Sequence, residues 1–235
     1  MVLIQNSKYL DFLSKFGIGG AHPGGINLTK EIFNKENISK TSQILDVGCG
    51  TGQTSAYLAS KYGAKVTGID TNSIMIGKAI RRMKKNRLPV RIIQCSIEQT
   101  PLPDNTFDFI ISESVLSFVN KPSALKEIFR LLKSGGRFIA IEFTVNKRLE
   151  TKIEEEIKQF YGFDTFSMKK DWVDLFQQAG FKNIRIQKNK SISSLPEFHH
   201  SKDIEPELYE VMDKHFKMIL DYDGVLDYRI YSCTK

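Results

Sequence analysis

The chain has 235 residues, 41% hydrophobic and 26% charged, with 34 Lys and Arg against 27 Asp and Glu for a formal charge of +7. That composition excludes collagen-like, disordered and disulfide-scaffold classes and suits one large α/β domain or two small ones. No stretch reaches the roughly 20 apolar residues that cross a bilayer, and Lys8, Asp11 and Lys15 interrupt the N-terminal apolar positions as no signal peptide core does, so a cytoplasmic protein is expected. Cys49, Cys95 and Cys233 lack CxxC or Cys/His spacing and point to no metal.

Two short helices are predicted over 7–15 and 29–35, separated by the glycine-rich stretch 17–25. This stretch reads as a mobile loop: either a lid that folds over a ligand and carries His22 into the site, or a passive linker. Residues 1–40 are accordingly expected to form an N-terminal helical cap, and 41–235 the core.

From 43 onward short apolar runs alternate with amphipathic stretches, the pattern of a parallel α/β sheet. Strands are predicted over 43–47, 65–70, 90–95, 107–112 and 137–143, with helices over 54–62, 73–86 and 123–132 between them. Lys133, Ser134, Gly135 and Gly136 read as a helix stop and turn. Further helices are expected over 145–161, 169–179 and 206–220, and two final strands over 181–188 and 225–233, with insertions at about 144–168 and 190–222. Seven strands thus make one doubly wound unit, in which ligands bind beyond the carboxyl ends of the strands. A basic run, Lys78, Arg81, Arg82, Lys84, Lys85, Arg87 and Arg91, reads either as a solvated helix face or as a binding patch.

The segment Ile44 to Gly52 is an apolar strand entering a glycine-rich turn that opens a helix. Gly48, Gly50 and Gly52 allow a tight turn and close approach of a ligand, and the helix N-terminus presents free amides. The spacing is GxGxG rather than the dinucleotide GxGxxG, Asp46 precedes the first glycine, and Asp70 ends the next strand. Asp70 stands where a carboxylate accepts from both hydroxyls of a ribose, or else caps the helix starting near Ser73.

The string DVGCGTG at 46–52, Asp70, and CSIEQTPLPDNTFD at 95–108 together resemble the class I S-adenosylmethionine-dependent methyltransferases. The likeness is closest over 40–143 and is greatest to the small-molecule branch that includes the quinone C-methyltransferases. It implies a Rossmann-like sheet with parallel strands and an antiparallel last strand, helices on both faces and an N-terminal helical lid. It further implies that Gly48, Cys49 and Gly50 surround the methionine moiety, that Asp70 binds the ribose and that Thr71 flanks the adenine. Ser96 stands where the family commonly carries an acidic residue, so adenine recognition is expected to rest on the Ile97 amide with a weaker hydroxyl contact. Residues 112–118 resemble the segment beside the sulfonium, placing Glu113 and Ser114 there, although Glu113 equally suits a cap on the following turn.

Methyl transfer to a small acceptor is then the expected activity, with S-adenosylhomocysteine as product. In-line displacement needs alignment and desolvation, and a base only when the nucleophile arrives protonated. Glu142 at the end of the fifth strand and His22 lead as candidates, followed by Tyr161 and the pair His199 and His200. Each also has a plain structural reading: Glu142 orienting a loop, His22 capping a turn, Tyr161 packed in a core. Phe160, Tyr161, Phe163, Phe166, Met168 and Trp172 are either core or the wall of an acceptor pocket. The competing functions are an RNA or protein methyltransferase, favoured by the charge of +7 and opposed by the lack of an RNA-binding module, and a nonenzymatic S-adenosylmethionine-binding paralogue. Oligomeric state is not set by these features.

Overall fold

A computed structural model describes residues 7–188, 197–222 and 225–235. Seven strands form one sheet in the order β3-β2-β1-β4-β5-β7-β6. They are β1 (Gln43–Val47), β2 (Lys65–Asp70), β3 (Arg91–Gln94), β4 (Phe107–Glu113), β5 (Leu132–Val145), β6 (Lys182–Gln187) and β7 (Leu226–Thr234). The first five are mutually parallel, and β7 runs antiparallel to both of its neighbours. The chain winds outward from β1 through β2 to β3, then returns to β1's other side as β4. That reversal opens a crevice at the carboxyl ends of β1 and β4.

Both faces of the sheet are buried, and adjacent strand residues show it. Leu45, Ile110, Phe138 and Tyr231 enter one apolar cluster with α5 (Lys121–Leu131) and α7 (Lys169–Gln178). Their neighbours Ile44, Ile111, Ile139 and Ile230 enter the other, with α2 (Gly25–Phe33) and α3 (Gln53–Tyr62). The two-residue period of a strand sends alternate side chains to opposite faces, which is why these strands read as continuous apolar runs. α4 (Ser73–Asn86) links β2 to β3. A third cluster joins α1 (Lys8–Phe16), α6 (Thr151–Tyr161) and α8 (Glu207–Asp221) through Tyr9, Phe12, Phe16, Ile157, Tyr161, Leu208 and Met218. Phe118 and Phe143, beyond β4 and at the end of β5, pack against it, so this cap sits over the carboxyl ends of the strands.

Several expectations are corrected. Leu28, Ile32 and Phe33 of α2 pack on the sheet, so residue 40 separates no cap from core; α1 makes the cap with α6 and α8. α2 starts at Gly25 rather than at 29, because Gly24 takes φ +81 and delivers the chain directly into the helix. Lys133 to Gly136 belong to β5: the Gly135 amide donates to Lys235 O (3.1 Å) and the Lys235 amide to Gly136 O (3.0 Å), pairing absent from any local reading. β5 extends to Val145, which delays α6 to Thr151. The start of the second expected insertion, 190–196, and residues 1–6 of the expected cap lie outside the described residues. Among the described residues no helix is long and apolar enough to cross a membrane.

Candidate functional site

β1 ends at Val47 and the chain turns through three left-handed glycines, Gly48 (φ +65), Gly50 (φ +52) and Gly52 (φ +76), before α3 begins. They do different work. A Cβ on Gly48 would lie 2.4 Å from Val115 Cγ2, so this glycine lets the turn after β4 close onto the loop. A Cβ on Gly50 would meet nothing within 4 Å, so this backbone faces open space at the crevice. Asp70 stands beside it, accepting from the Gly50 amide (2.9 Å) on one carboxylate oxygen and the Asn72 amide (2.8 Å) on the other. Asn72, not Asp70, caps α4, accepting from the amides of Ile74 and Met75. Burial raises the Asp70 carboxyl above its ordinary range against the pull of these amides. Each Asp70 oxygen retains a lone pair for a further donor.

Asp46 is turned away from the crevice. It is buried and accepts from Ser55 Oγ (2.6 Å), bracing α3 against β1. Burial, with Glu113 and Asp70 nearby, pushes its carboxyl up to about 8. Glu113 is not a turn cap: it accepts from Thr29 Oγ1 (2.5 Å) and Thr54 Oγ1 (2.6 Å), joining α2 and α3 to the end of β4. His22 is buried with Nε2 3.4 Å from Glu113 Oε2 and Nδ1 3.2 Å from Pro23 O, so it pins the N-terminal segment. Next to Glu113, Ser114 is held at φ +59, and its Oγ is buried with no hydrogen-bond partner. Glu142 is fully buried under the same turn. Its Oε1 accepts from Ser112 Oγ (3.1 Å) and the amides of Val115 (3.1 Å) and Leu116 (3.0 Å), and its Oε2 from Ser117 Oγ (3.3 Å). Burial outweighs these donors and pushes Glu142 up to about 7. It shapes the turn after β4 through these bonds.

After β3, the Cys95 amide donates to Asp70 O (3.1 Å), and Ser96 Oγ accepts from the Glu98 amide (3.1 Å). Ile97 is buried, and exposed Thr71 accepts from Gln94 Nε2 (3.0 Å). Gly48, Cys49, Gly50, Asp70, Thr71, Ser96 and Ile97 therefore come together along the ends of β1, β2 and β3, with Ser114 approaching from β4.

The sequence reading missed the roof over this loop. Residues 197–201 run back across it, pairing through the Gly19 amide with Glu197 O (2.8 Å). Glu197 Oε2 accepts from Arg82 Nη2 (2.8 Å) and Gln53 Nε2 (2.8 Å), and Arg82 Nε donates to Thr51 O (2.8 Å). Lys78 Nζ donates to Lys15 O (3.0 Å) and His199 O (2.5 Å). Against the upward push of burial, the Arg82 and His199 hydrogen bonds hold Glu197 below the ordinary glutamate range. Two members of the basic run thus fasten the strap, and the glycine-rich segment expected to be an irregular loop is tied into it. His199 Nε2 lies 2.9 Å from Glu197 Oε1, and His200 stacks on Phe198, so neither reaches the crevice. Tyr161 is in the cap core with its hydroxyl 3.1 Å from His215 Nδ1, where burial pushes His215 down to about 4. Trp172 belongs instead to the sheet core, donating to Phe143 O (3.0 Å).

A family profile for the methyltransferase domain matches residues 45–140. An uncharacterised methyltransferase of Bacillus subtilis, YodH, is 35% identical over 97% of this chain and 100% of its own length. The chain belongs to the class I S-adenosylmethionine-dependent methyltransferases. Phosphoethanolamine N-methyltransferase 1 of Arabidopsis thaliana is 31% identical over 78% of this methyltransferase, which spans 37% of that longer protein. In fold, Haemonchus contortus phosphoethanolamine N-methyltransferase 2 superposes with a TM-score of 0.79 at 18% identity, covering 97% of this chain and 56% of that one; its solved complexes contain S-adenosylmethionine or S-adenosylhomocysteine with phosphomonomethylethanolamine. The methyltransferase uses S-adenosylmethionine, and its residues fit that cofactor. The space over Gly50 admits a ligand, the Ser114 hydroxyl and Gln53 Oε1 are buried without partners, and the Asp70 carboxylate stands beside that space.

Proposed function

We propose that this methyltransferase transfers the methyl group to a small-molecule acceptor held under the cap, with Asp70 on the ribose hydroxyls, Gly48, Cys49 and Gly50 around the methionine moiety, Thr71, Ser96 and Ile97 about the adenine, and Ser114 near the sulfonium. The observation that carries the acceptor class is the roof: the strap at 197–201 and the N-terminal segment are fastened over the glycine loop through Glu197, Arg82 and Lys78. Such a covered crevice favours a small acceptor over an extended polymer, and it excludes water from a reaction that desolvation assists. Use of Lys78 and Arg82 in the roof also weakens the reading of the basic run as a nucleic-acid patch.

The cofactor supplies a methyl carbon bonded to a positively charged sulfur; the acceptor's lone pair forms the new bond as the carbon–sulfur bond breaks, with its electrons passing to sulfur. Glu142 holds the turn carrying Ser114, and Glu113 with His22 closes the N-terminal segment against it. Both ring nitrogens of His22 already face protein oxygens, and Glu142 is enclosed. This favours a nucleophile that gives up its proton to water before methyl transfer, such as an amine reacting through its deprotonated fraction or a readily ionised carbon acid. The resemblance to quinone C-methyltransferases and the phosphoethanolamine N-methyltransferase relatives both fall within this class. Methyl-labelled S-adenosylmethionine, incubated with the protein and panels of free and phosphorylated amines, quinols and RNA, tests the proposal. Label is expected in a small product; label confined to RNA or protein would overturn it.

Two substitutions test the cofactor assignments. Asp70→Ala is expected to weaken S-adenosylhomocysteine binding roughly tenfold to a hundredfold in calorimetry, by removing charge-assisted ribose contacts of about 1.5–3 kcal/mol. Unchanged affinity in the folded variant would sink the ribose role. Ser96→Ala is expected to cost at most about 1 kcal/mol, since its oxygen is already engaged by the Glu98 amide. A loss well beyond tenfold would give the hydroxyl a larger part in adenine recognition.

A further inference from the structure

α8 has two apolar faces. Leu208, Val211 and Met218 turn into the cap core, while Tyr209, Phe216, Ile219 and Leu220 are 47, 54, 51 and 76% exposed. At about 100° per residue these four share one arc, adjoining the buried arc on one side and the exposed Asp213 and Lys217 on the other. A contiguous exposed stripe of this kind on a soluble protein marks an interaction surface. Asp213 and Lys217 form no ion pair with a described residue, whereas Glu207 on the same helix pairs with Lys8 of α1.

The arrangement of charges identifies the occupant. In a two-fold contact, residue i meets residue j while j meets i, and the same flank of an antiparallel helix pair faces itself. We propose that α8 pairs antiparallel with the α8 of a second copy of this chain, crossing near His215. That register sets Tyr209 against the partner's Leu220 and Met212 against the partner's Ile219. It brings the two Phe216 rings together at the axis. It also sets Asp213 against the partner's Lys217, and Lys217 against the partner's Asp213, so every apolar side chain and both flanking charges find complements from one symmetry operation. An anionic bilayer fits less well: Glu207, Glu210, Asp213 and Asp221 outnumber Lys214 and Lys217 on the exposed side of the helix. The contact also bears on the roof, because the Phe16 ring lies 5.1 Å from Tyr209 and 5.3 Å from His200 beside the strap.

Sedimentation of the full chain from about 1 to about 100 µM reads the association directly. The parent is expected to dimerise, and Phe216→Asp to sediment as a monomer whose melting temperature matches that of the parent at concentrations below the dimer Kd, since Phe216 is 54% exposed. Asp213→Lys and Lys217→Asp are each expected to raise the dimer Kd at least about tenfold by opposing like charges. Combining the two reversals should return it to within about threefold of the parent, which a nonspecific apolar contact would not do. A parent that stays monomeric throughout, a dimer indifferent to Phe216→Asp, or a double reversal weaker than either single one would overturn the proposal. So would a monomer that floats with phosphatidylglycerol vesicles and loses that binding in Phe216→Asp.

Discussion

Gly48→Ala is expected to abolish tight cofactor binding and to lower stability at the same time. Its Cβ would overlap Val115 Cγ2 at 2.4 Å, and φ +65 lies in the left-handed region that L side chains resist. The backbone preference costs about 1–2 kcal/mol and the overlap a further 1–3 kcal/mol, and the loop must shift where Cys49 and Gly50 approach the ligand. Trimming the obstacle in Gly48→Ala/Val115→Ala should recover the overlap part and leave the conformational part. Gly50→Ala provides the contrast. It meets nothing within 4 Å, so its stability should fall by only the conformational cost of about 1–2 kcal/mol, while the added methyl projects into the space assigned to the cofactor. Calorimetric titration with S-adenosylhomocysteine, alongside thermal melts of both variants, separates the two. Equal affinities for the parent and Gly50→Ala would place the cofactor elsewhere.

Glu142→Ala is expected to cost about 2–5 kcal/mol of stability, because it leaves the half-buried Val115 amide, the buried Leu116 amide and two serine hydroxyls without their acceptor. Glu142→Gln behaves differently, and the difference depends on pH. Its amide oxygen can accept from Val115, Leu116 and Ser112, and its NH2 can donate to Ser117 Oγ. In the native protein, burial raises the Glu142 carboxyl from 4.5 to about 7. Protons are therefore held more tightly in the folded state, and the contribution to stability, complete below about 4.5, is lost as pH rises through 7, by up to about 3 kcal/mol. Asp46, raised by burial and Glu113 from 3.8 to about 8, adds a slope of the same sign. Relative to the parent, Glu142→Gln should thus gain stability between about pH 5 and pH 8. Thermal melts across that range check it; a difference between Gln variant and parent that stays flat with pH would contradict the buried carboxyl's role.

How much was legible beforehand differs by element. β1, β2 and α4 end where their local patterns say, because alternating or helical apolar spacing is a property of neighbouring residues. α2 and α6 were misplaced because their boundaries depend on packing. Gly24 is conformationally permissive and reads locally as loop, while Val145 reads as a helix start until it pairs with β7. The site divides in the same way. The glycine spacing, with Asp70 after the next strand, announces a loop and a carboxylate beside it, since both lie at strand ends whose positions follow from chain order.

The sequence by itself determined the alternation of strands and helices, the doubly wound class and the cofactor loop, all of which rest on interactions short in chain distance or on backbone conformations that glycine permits. Only the tertiary structure decided which acidic residues face the crevice. Asp46 and Asp70 are alike in the string of letters, yet one is consumed by Ser55 and the other stands beside Gly50. Likewise Glu142 and His22, chosen for their chemistry, are each engaged by buried protein partners, and Lys78 and Arg82, indistinguishable from a solvated basic face, secure the roof. Arg82 and Glu197 are separated by 115 residues. A polar side chain's role is set by the partners that burial brings to it, and no local pattern encodes a partner so distant in sequence.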